Sequence, residues 1–314
     1  MADGIRLSRR SVFNILNSGA ALAPFFAKGR IMAERVISVS GAPYDGHSRE
    51  AALKSAATLG FTHFEPAFIV GYTEPFDETA FTPSEMTRWR SALKGSGLSC
   101  HAMSSHIDLG FEDSVEVFTG RMAFAAAIGA KLIATNAAAR QREAAFRRNV
   151  EIILRRAEAF DIVVGLENPG DGSDSLINTA RDGICLVEEF GSPFLKLNYD
   201  AANTASHRPD MDDLAGDGIL ALQGSAHAHI KDVRETDEGW YFCDIGDGKV
   251  GCERLLAVIA KVDGFPVSIE LPLRLHRNRQ AQPIRRQDPV PLSTIEDSLA
   301  RSLKVVRRAL NDNQ

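Results

Sequence analysis

Four segments of the chain end apolar runs with side chains able to bind a metal or carry a proton. They are Gly165-Leu166-Glu167-Asn168, Leu197-Asn198-Tyr199-Asp200, His227-Ala228-His229-Ile230-Lys231-Asp232 and Ser268-Ile269-Glu270-Leu271. Glu167, Asp200, His229 and Glu270 follow one another at spacings of 33, 29 and 41 residues, each about one strand–helix unit. Three carboxylates and an imidazole brought to one point would carry three negative charges. Burying these without compensation costs several kcal/mol each. A divalent cation removes that cost, and carboxylates with one imidazole suit Mn²⁺, Mg²⁺ or Co²⁺, with Zn²⁺ also compatible. The competing use of the same residues is structural, as salt bridges to Lys196, Lys231 and Arg234.

Residues two apart on a strand face the same way, so His227, His229 and Lys231 share one side. His229 stands nearer the strand's end, level with the other three. His227 is expected one layer down, hydrogen-bonded in the core or supporting a ligand.

The elements that must hold these residues read as an alternation. Strands are expected at 36–40, 62–65, 98–103, 131–135, 162–167, 195–200, 226–231 and 267–271. Helices are expected from Ser48 to about Leu59, from Thr82-Pro83-Ser84-Glu85, from Asp113 and Glu116 to Ile128, over 142–160, near 176–189 and 211–222, from Cys252 to Val262, and over 293–310. Thr82 is a strong helix start, with Pro at the first helical position and Glu three residues past the cap. Eight strand–helix pairs in this length predict parallel strands joined by crossover helices, closed as a single (β/α)8 TIM barrel. In that fold chemistry belongs at the C-terminal strand ends, where the four segments lie. No GxGxxG follows the first strand, where Ser40-Gly41-Ala42-Pro43 stands, so a dinucleotide site is not expected.

With the motifs placed, the chain resembles the xylose-isomerase-like, or sugar phosphate isomerase/epimerase, superfamily, and the resemblance runs from about residue 35 to 310. It rests on Gly165-Leu166-Glu167-Asn168, Asn198-Tyr199-Asp200-Ala201-Ala202-Asn203, His227-Ala228-His229-Ile230-Lys231-Asp232 and Ile269-Glu270. The resemblance to the ketose 3-epimerase branch implies that Glu167, Asp200, His229 and Glu270 hold one divalent metal. It also implies that Glu167 and Glu270 exchange a substrate proton on opposite faces. The implied activity is a metal-dependent sugar isomerase or epimerase working on a ketose through a metal-bound enediolate. The alternative is a lyase or dehydratase acting on a keto-sugar or keto-inositol. Two departures weigh against a free-ketohexose 3-epimerase: Asn203 stands where those enzymes have His, and Ser173 where they have a substrate-binding Glu. The Lys231-Asp232 pair looks more like the inosose dehydratase and sugar-phosphate isomerase branches. Apurinic endonucleases share the barrel, but Cys243-Asp244-Ile245-Gly246-Asp247-Gly248 lacks the Asp-x-His that they need.

Substrate contacts are expected from His106, Glu65, Asn203, Lys231, Arg234 and Arg274. Phe68, Tyr72, Phe76 and Phe81 form either a lid or a subunit contact, and Trp89 belongs to a core or an interface. The segment after Glu270 is rich in arginine (Arg274, Arg277, Arg279, Arg285, Arg286). It is expected to serve as an extended, oligomer-forming arm, with Arg274 the exception that could hold a phosphate or carboxylate.

Composition bounds the partners. Forty-one acids against 36 Lys and Arg give a net charge of −5, which disfavours a nucleic-acid surface. Four scattered cysteines form no CxxC pair, so neither a zinc ribbon nor a disulfide framework is expected. No membrane span is expected, and the partner is a small sugar, in a protein expected to form a homo-oligomer. Residues 1–33 read as an extension preceding a barrel over 34–314. Ser8-Arg9-Arg10-Ser11-Val12-Phe13 resembles a twin-arginine signal, which would make the protein periplasmic rather than cytoplasmic. An ordinary N-terminal helix, or a start at Met32, would account for the same stretch.

Overall fold

Parallel strands close a ring inside a layer of helices, as the alternation predicts. The computed structural model describes residues 35–310. The expectation of a signal or extension within residues 1–33 lies outside the described residues. The ring contains β1 (Ile37–Ser40), β2 (His63–Glu65), β3 (Ala67–Phe68), β4 (Ala102–Ser105), β5 (Leu132–Asn136), β6 (Val163–Glu167), β7 (Leu195–Asp200), β8 (Ser225–Ile230) and β11 (Val267–Ile269). Its order is β2-β1-β11-β8-β7-β6-β5-β4-β3. β2 and β3 are two halves of one strand broken at Pro66, which has no N–H to give to a ladder. Because β2 pairs with β1 and β3 pairs with β4, that broken strand completes the circle. Eight barrel strands result, as expected.

The helices are α1 (Arg49–Thr58), α2 (Pro83–Ser96), α3 (Ser114–Ala127), α4 (Glu143–Phe160), α5 (Ala180–Phe190), α6 (Ala201–His207), α7 (Leu214–Ala221), α8 (Cys252–Ile259) and α9 (Leu292–Ala309). Local chemistry sets their starts. Ser48 accepts from the Ala51 N–H and Thr82 from the Glu85 N–H, each satisfying a donor that the first turn leaves open. α5 begins at Ala180 rather than near 176, because Thr179 and Asp182 form a reciprocal capping box there. Asp113 precedes α3 without a side-chain cap bond, so its expected role as a cap is not observed. Among the described residues no helix is long and apolar enough to cross a membrane.

Two further departures concern the site. The third strand lies at Ala102–Ser105, four residues later than its apolar run suggests. Ser104 and Ser105 continue it because their hydroxyls meet polar partners on opposite faces, Glu65 inside the ring and Arg121 on α3. The arginine-rich arm is also not an extended segment. β9 (Asp232–Thr236), β10 (Gly239–Cys243), β12 (Leu275–Asn278) and β13 (Pro283–Arg285) form a separate antiparallel sheet in the order β13-β12-β10-β9. The arm therefore pairs with the chain that follows the metal-capable strand β8.

Candidate active site

Glu167, Asp200, His229 and Glu270 sit at or just past the ends of β6, β7, β8 and β11, four successive neighbours in the ring. All four are buried, and one donor atom from each lies within 4.8 Å of the others. An ion bonded at about 2.0–2.4 Å to each could bridge that span with little movement.

Each of these side chains is held by the chain around it. Asp200 caps α6, with Oδ1 accepting from the N–H groups of Ala202 and Asn203 at 2.9 and 3.2 Å. Asn168 clamps the same residue by bonding both its backbone N–H and its carbonyl. Glu167 accepts from Asn203 Nδ2 at 3.0 Å through Oε1 and from Asn198 Nδ2 at 2.7 Å through Oε2. The His229 ring lies between acids, with Nδ1 3.2 Å from Glu167 Oε2 and 3.6 Å from Glu270 Oε2. Its Nε2 is 3.0 Å from Glu65 Oε1. Lys231 Nζ reaches Asp200 Oδ2 at 2.5 Å and Glu270 Oε2 at 2.7 Å. Glu270 Oε1 is buried without a partner, and the Lys231 ammonium is the one group against Asp200 Oδ2.

Electrostatics follow from this crowding. Burial opposes charge on His229, but Glu270, Glu167 and Glu65 outweigh it and hold the imidazole well above its ordinary value. Burial opposes charge on Glu167 too, and His229 and His106 overcome it, keeping the carboxyl well below its usual range. Asp200 is raised by burial, with Lys231 pulling the other way. Glu65, beside His229, is held down to about 2 despite its burial. His227 is held down to about 3, mainly by burial, and is therefore neutral.

These groups fit a divalent ion. Four buried carboxylates share one ammonium, Lys231, and two imidazoles, His229 and His106. His229 must lose its proton to ligate, which leaves still more negative charge for an ion to balance. The unpartnered Glu270 Oε1 is a donor atom without other use.

Of the other sequence-expected contacts, His106, Asn203 and Lys231 line a cleft of about 240 Å³ together with Glu167 and Glu270. His106 Nε2 is 3.3 Å from Glu167 Oε2. Three other expected contacts do not line that cleft. Glu65 is wholly buried, bonded to Ser104 and His229, where no sugar hydroxyl reaches it. Arg234 is exposed and paired with Asp247. Arg274 is buried against Asp45 and Glu74, tying the arm to the barrel. Of the loop aromatics, Phe68, Phe76 and Phe81 pack on one another and, with Phe124 and Trp89, on α3 and α2. Tyr72 alone of that group lines the cleft.

Arg277 and Asn136 line the cleft without having been singled out for it. The alternation in β12 was the available signal for Arg277. Leu275 and Arg277 are buried while His276 and Asn278 turn outward.

Glu65 has a positional consequence. By accepting the Nε2–H of His229 it would leave the Nδ1 lone pair directed at Glu167 and Glu270, where an ion would sit. Glu65→Gln is expected to weaken divalent-ion binding roughly 10- to 100-fold, read by competition with a chelating dye. Unchanged affinity would show that Glu65 does not orient the ring.

The sequence profile of a family described as "Xylose isomerase-like TIM barrel" matches residues 53–287. No curated protein matches the chain by sequence. Among solved structures, D-psicose 3-epimerase from Clostridium cellulolyticum H10, crystallised with D-tagatose, superposes with a TM-score of 0.65 at 14% identity, covering 87% of this chain and 99% of that one. A 3-keto-D-glucoside 4-epimerase from E. coli superposes at 0.63 with 17% identity, over 86% and 100%. The probable 3-DHS dehydratase of petrobactin synthesis from Bacillus anthracis does so at 0.62 with 15% identity, over 86% and 98%. At these identities the likeness is one of fold.

Proposed function

Because the chain belongs to the xylose isomerase-like TIM barrel family, we propose that it is a divalent-metal-dependent sugar isomerase or epimerase acting on a ketose or related keto-sugar. One observation carries the reading. Two carboxylates, Glu167 and Glu270, line one cleft and share a convergent donor set with Asp200 and His229. Bound there, a divalent ion supplies a Lewis acid that acidifies the C–H beside a substrate carbonyl.

The chain's own residues then move the proton. Glu270 Oε1, buried and without a partner, is the oxygen free to accept it. Glu167, on a strand three places along the ring, can return a proton to the other face, which inverts the carbon. Its Oε2 lies against His106 Nε2, which can bear on a substrate oxygen in the cleft. Lys231 and Asn203 hold the two glutamates in position. Return of the proton by the same carboxylate to the neighbouring carbon gives isomerisation instead.

Elimination is the second reading, supported by the structural likeness to a probable dehydratase. A panel of ketoses, ketose phosphates and keto-inositols in D₂O with added Mn²⁺, followed by NMR, tests both. Solvent deuterium is expected at the carbon beside the carbonyl, and EDTA is expected to stop its entry. A product lighter by one water selects elimination. Turnover without deuterium entry would sink the proton-transfer reading.

A further inference from the structure

Three arginines of the described chain are buried: Arg121, Arg274 and Arg277. Arg121 pairs with Glu78, and Arg274 pairs with Asp45 and Glu74. Arg277 has only neutral partners. Its Nε donates to Tyr72 Oη at 2.9 Å, Nη1 to Ser206 Oγ at 3.0 Å and Nη2 to Asn203 Oδ1 at 2.8 Å. Tyr72 and Phe242 present their rings to the guanidinium at 5.6 and 5.3 Å. Gly170 lies so close that a Cβ there would fall 2.0 Å from Nη1. Segments after β3 and β6, helix α6 and strand β10 thus build one slot around this side chain, which lines the cleft.

The three bonds use three of the five N–H groups of a guanidinium, leaving one on each terminal nitrogen. That pair is a fork that matches the two oxygens of an oxyanion. The nearby acids do not supply it: Asp200 and Glu270 turn to Lys231 instead. A single amide, Asn203, separates Arg277 from Glu167, since its Nδ2 donates to Glu167 Oε1.

We propose that Arg277 binds an oxyanion group of the substrate, so that the site takes a carboxylated or phosphorylated keto-sugar in preference to a neutral one. This rests on the keto-sugar reading above. It moves the anion role from Arg274, where sequence proximity to Glu270 suggested it, to the residue that reaches the cleft.

The test is calorimetric titration of the Mn²⁺-loaded protein with D-fructose, D-fructose 6-phosphate and 5-keto-D-gluconate. One of the two anions is expected to bind roughly 10- to 100-fold more tightly than fructose, the range of a charge-assisted bond, and the better of the two identifies carboxylate or phosphate. The preference is expected to persist on raising salt from about 0.1 to 0.5 M, because buried pairs are screened little. Arg277→Gln should abolish the preference, and Arg277→Lys should retain part of it, since Lys keeps the charge but loses the fork. Equal binding of all three sugars by the unaltered protein would make Arg277 a counter-charge for the carboxylates and overturn the proposal. A preference that disappears with salt would do so too, since it would belong to the exposed arginines, and this arm needs no variant to fold. A protein that exchanges deuterium into neutral ketoses without any anion preference loses this inference alone. One that binds the anion but no divalent ion loses the proposed reaction alone.

Discussion

Asp200→Asn and His229→Ala are each expected to abolish the binding of a divalent ion, of which the unaltered protein is expected to carry about one per chain. The two changes fail for different reasons. Asp200 Oδ1 is committed to the first turn of α6, so Oδ2, which faces Lys231, is the oxygen left for an ion. Asn is nearly the same size and can still cap the helix, but it removes the charge at Oδ2. Its loss therefore reports on ligation with little disturbance of the fold. His229→Ala removes the nitrogen donor and leaves Glu65 buried without its imidazole, a change that also destabilises the barrel. Elemental analysis after dialysis reads the first effect, and thermal unfolding of the ion-free proteins separates it from the second. Full occupancy in Asp200→Asn would show that the four donors do not act together.

That donor set was legible because barrel geometry is periodic in sequence. Once eight strand–helix units are counted, residues at strand ends 30 to 40 positions apart become neighbours, and Glu167, Asp200, His229 and Glu270 need only be read off. Strand period likewise separates His229 from His227. The structure gives His227 a bond to Asn198 Oδ1 at 2.6 Å within the ring, one layer below the donors. The elements that hold the set were less visible. Asn168 and Asn198 are ordinary polar residues in the sequence, and their roles depend on partners 29 to 32 residues away.

What sequence reasoning misassigned lies mostly where polar residues face inward or where pairing is long-range. Glu65 reads as a residue at a strand end facing substrate. In the structure it points across the ring to His229 on β8, 164 residues later. The interior it shares with Ser38, Ser268 and His227 is polar and partly unsatisfied, unlike the branched apolar filling usual in such barrels. The arm misled in another way. Its arginines and prolines suggested an extended segment, yet β12 pairs with β10 from the preceding βα unit, as Arg277↔Trp240 and His276↔Tyr241. No local pattern in either segment announces that partnership. Asp232 shows the same dependence on context. Beside Lys231 it looks like a site residue, but its oxygens accept from the N–H groups of Val233, Gly246, Gly248 and Val250 and so shape the loop below β10.

Glu167→Gln and Glu270→Gln are each expected to lower turnover by about 10²- to 10⁴-fold, the usual contribution of a positioned proton carrier. Both residues are also expected to ligate, so the measurement uses saturating Mn²⁺ with the bound ion quantified in each variant. The two carriers can then be told apart by isotope. If Glu270 removes the proton and Glu167 returns one to the opposite face, Glu167→Gln still allows Glu270 to exchange the substrate proton with D₂O while net inversion stops. Glu270→Gln stops exchange from that face and leaves only what Glu167 can remove in the reverse direction. The asymmetry has a structural basis. Glu270 Oε1 has no partner, whereas both oxygens of Glu167 accept amide hydrogens and its carboxyl is held well below the usual range by His229 and His106, against burial. A carboxylate stabilised in that way is the poorer acceptor, which places the first abstraction on Glu270 in the forward direction. Loss of exchange and turnover in one variant and retention of both in the other, with the ion bound in each, would mean that one carboxylate carries the proton both ways, and the reaction would then be isomerisation.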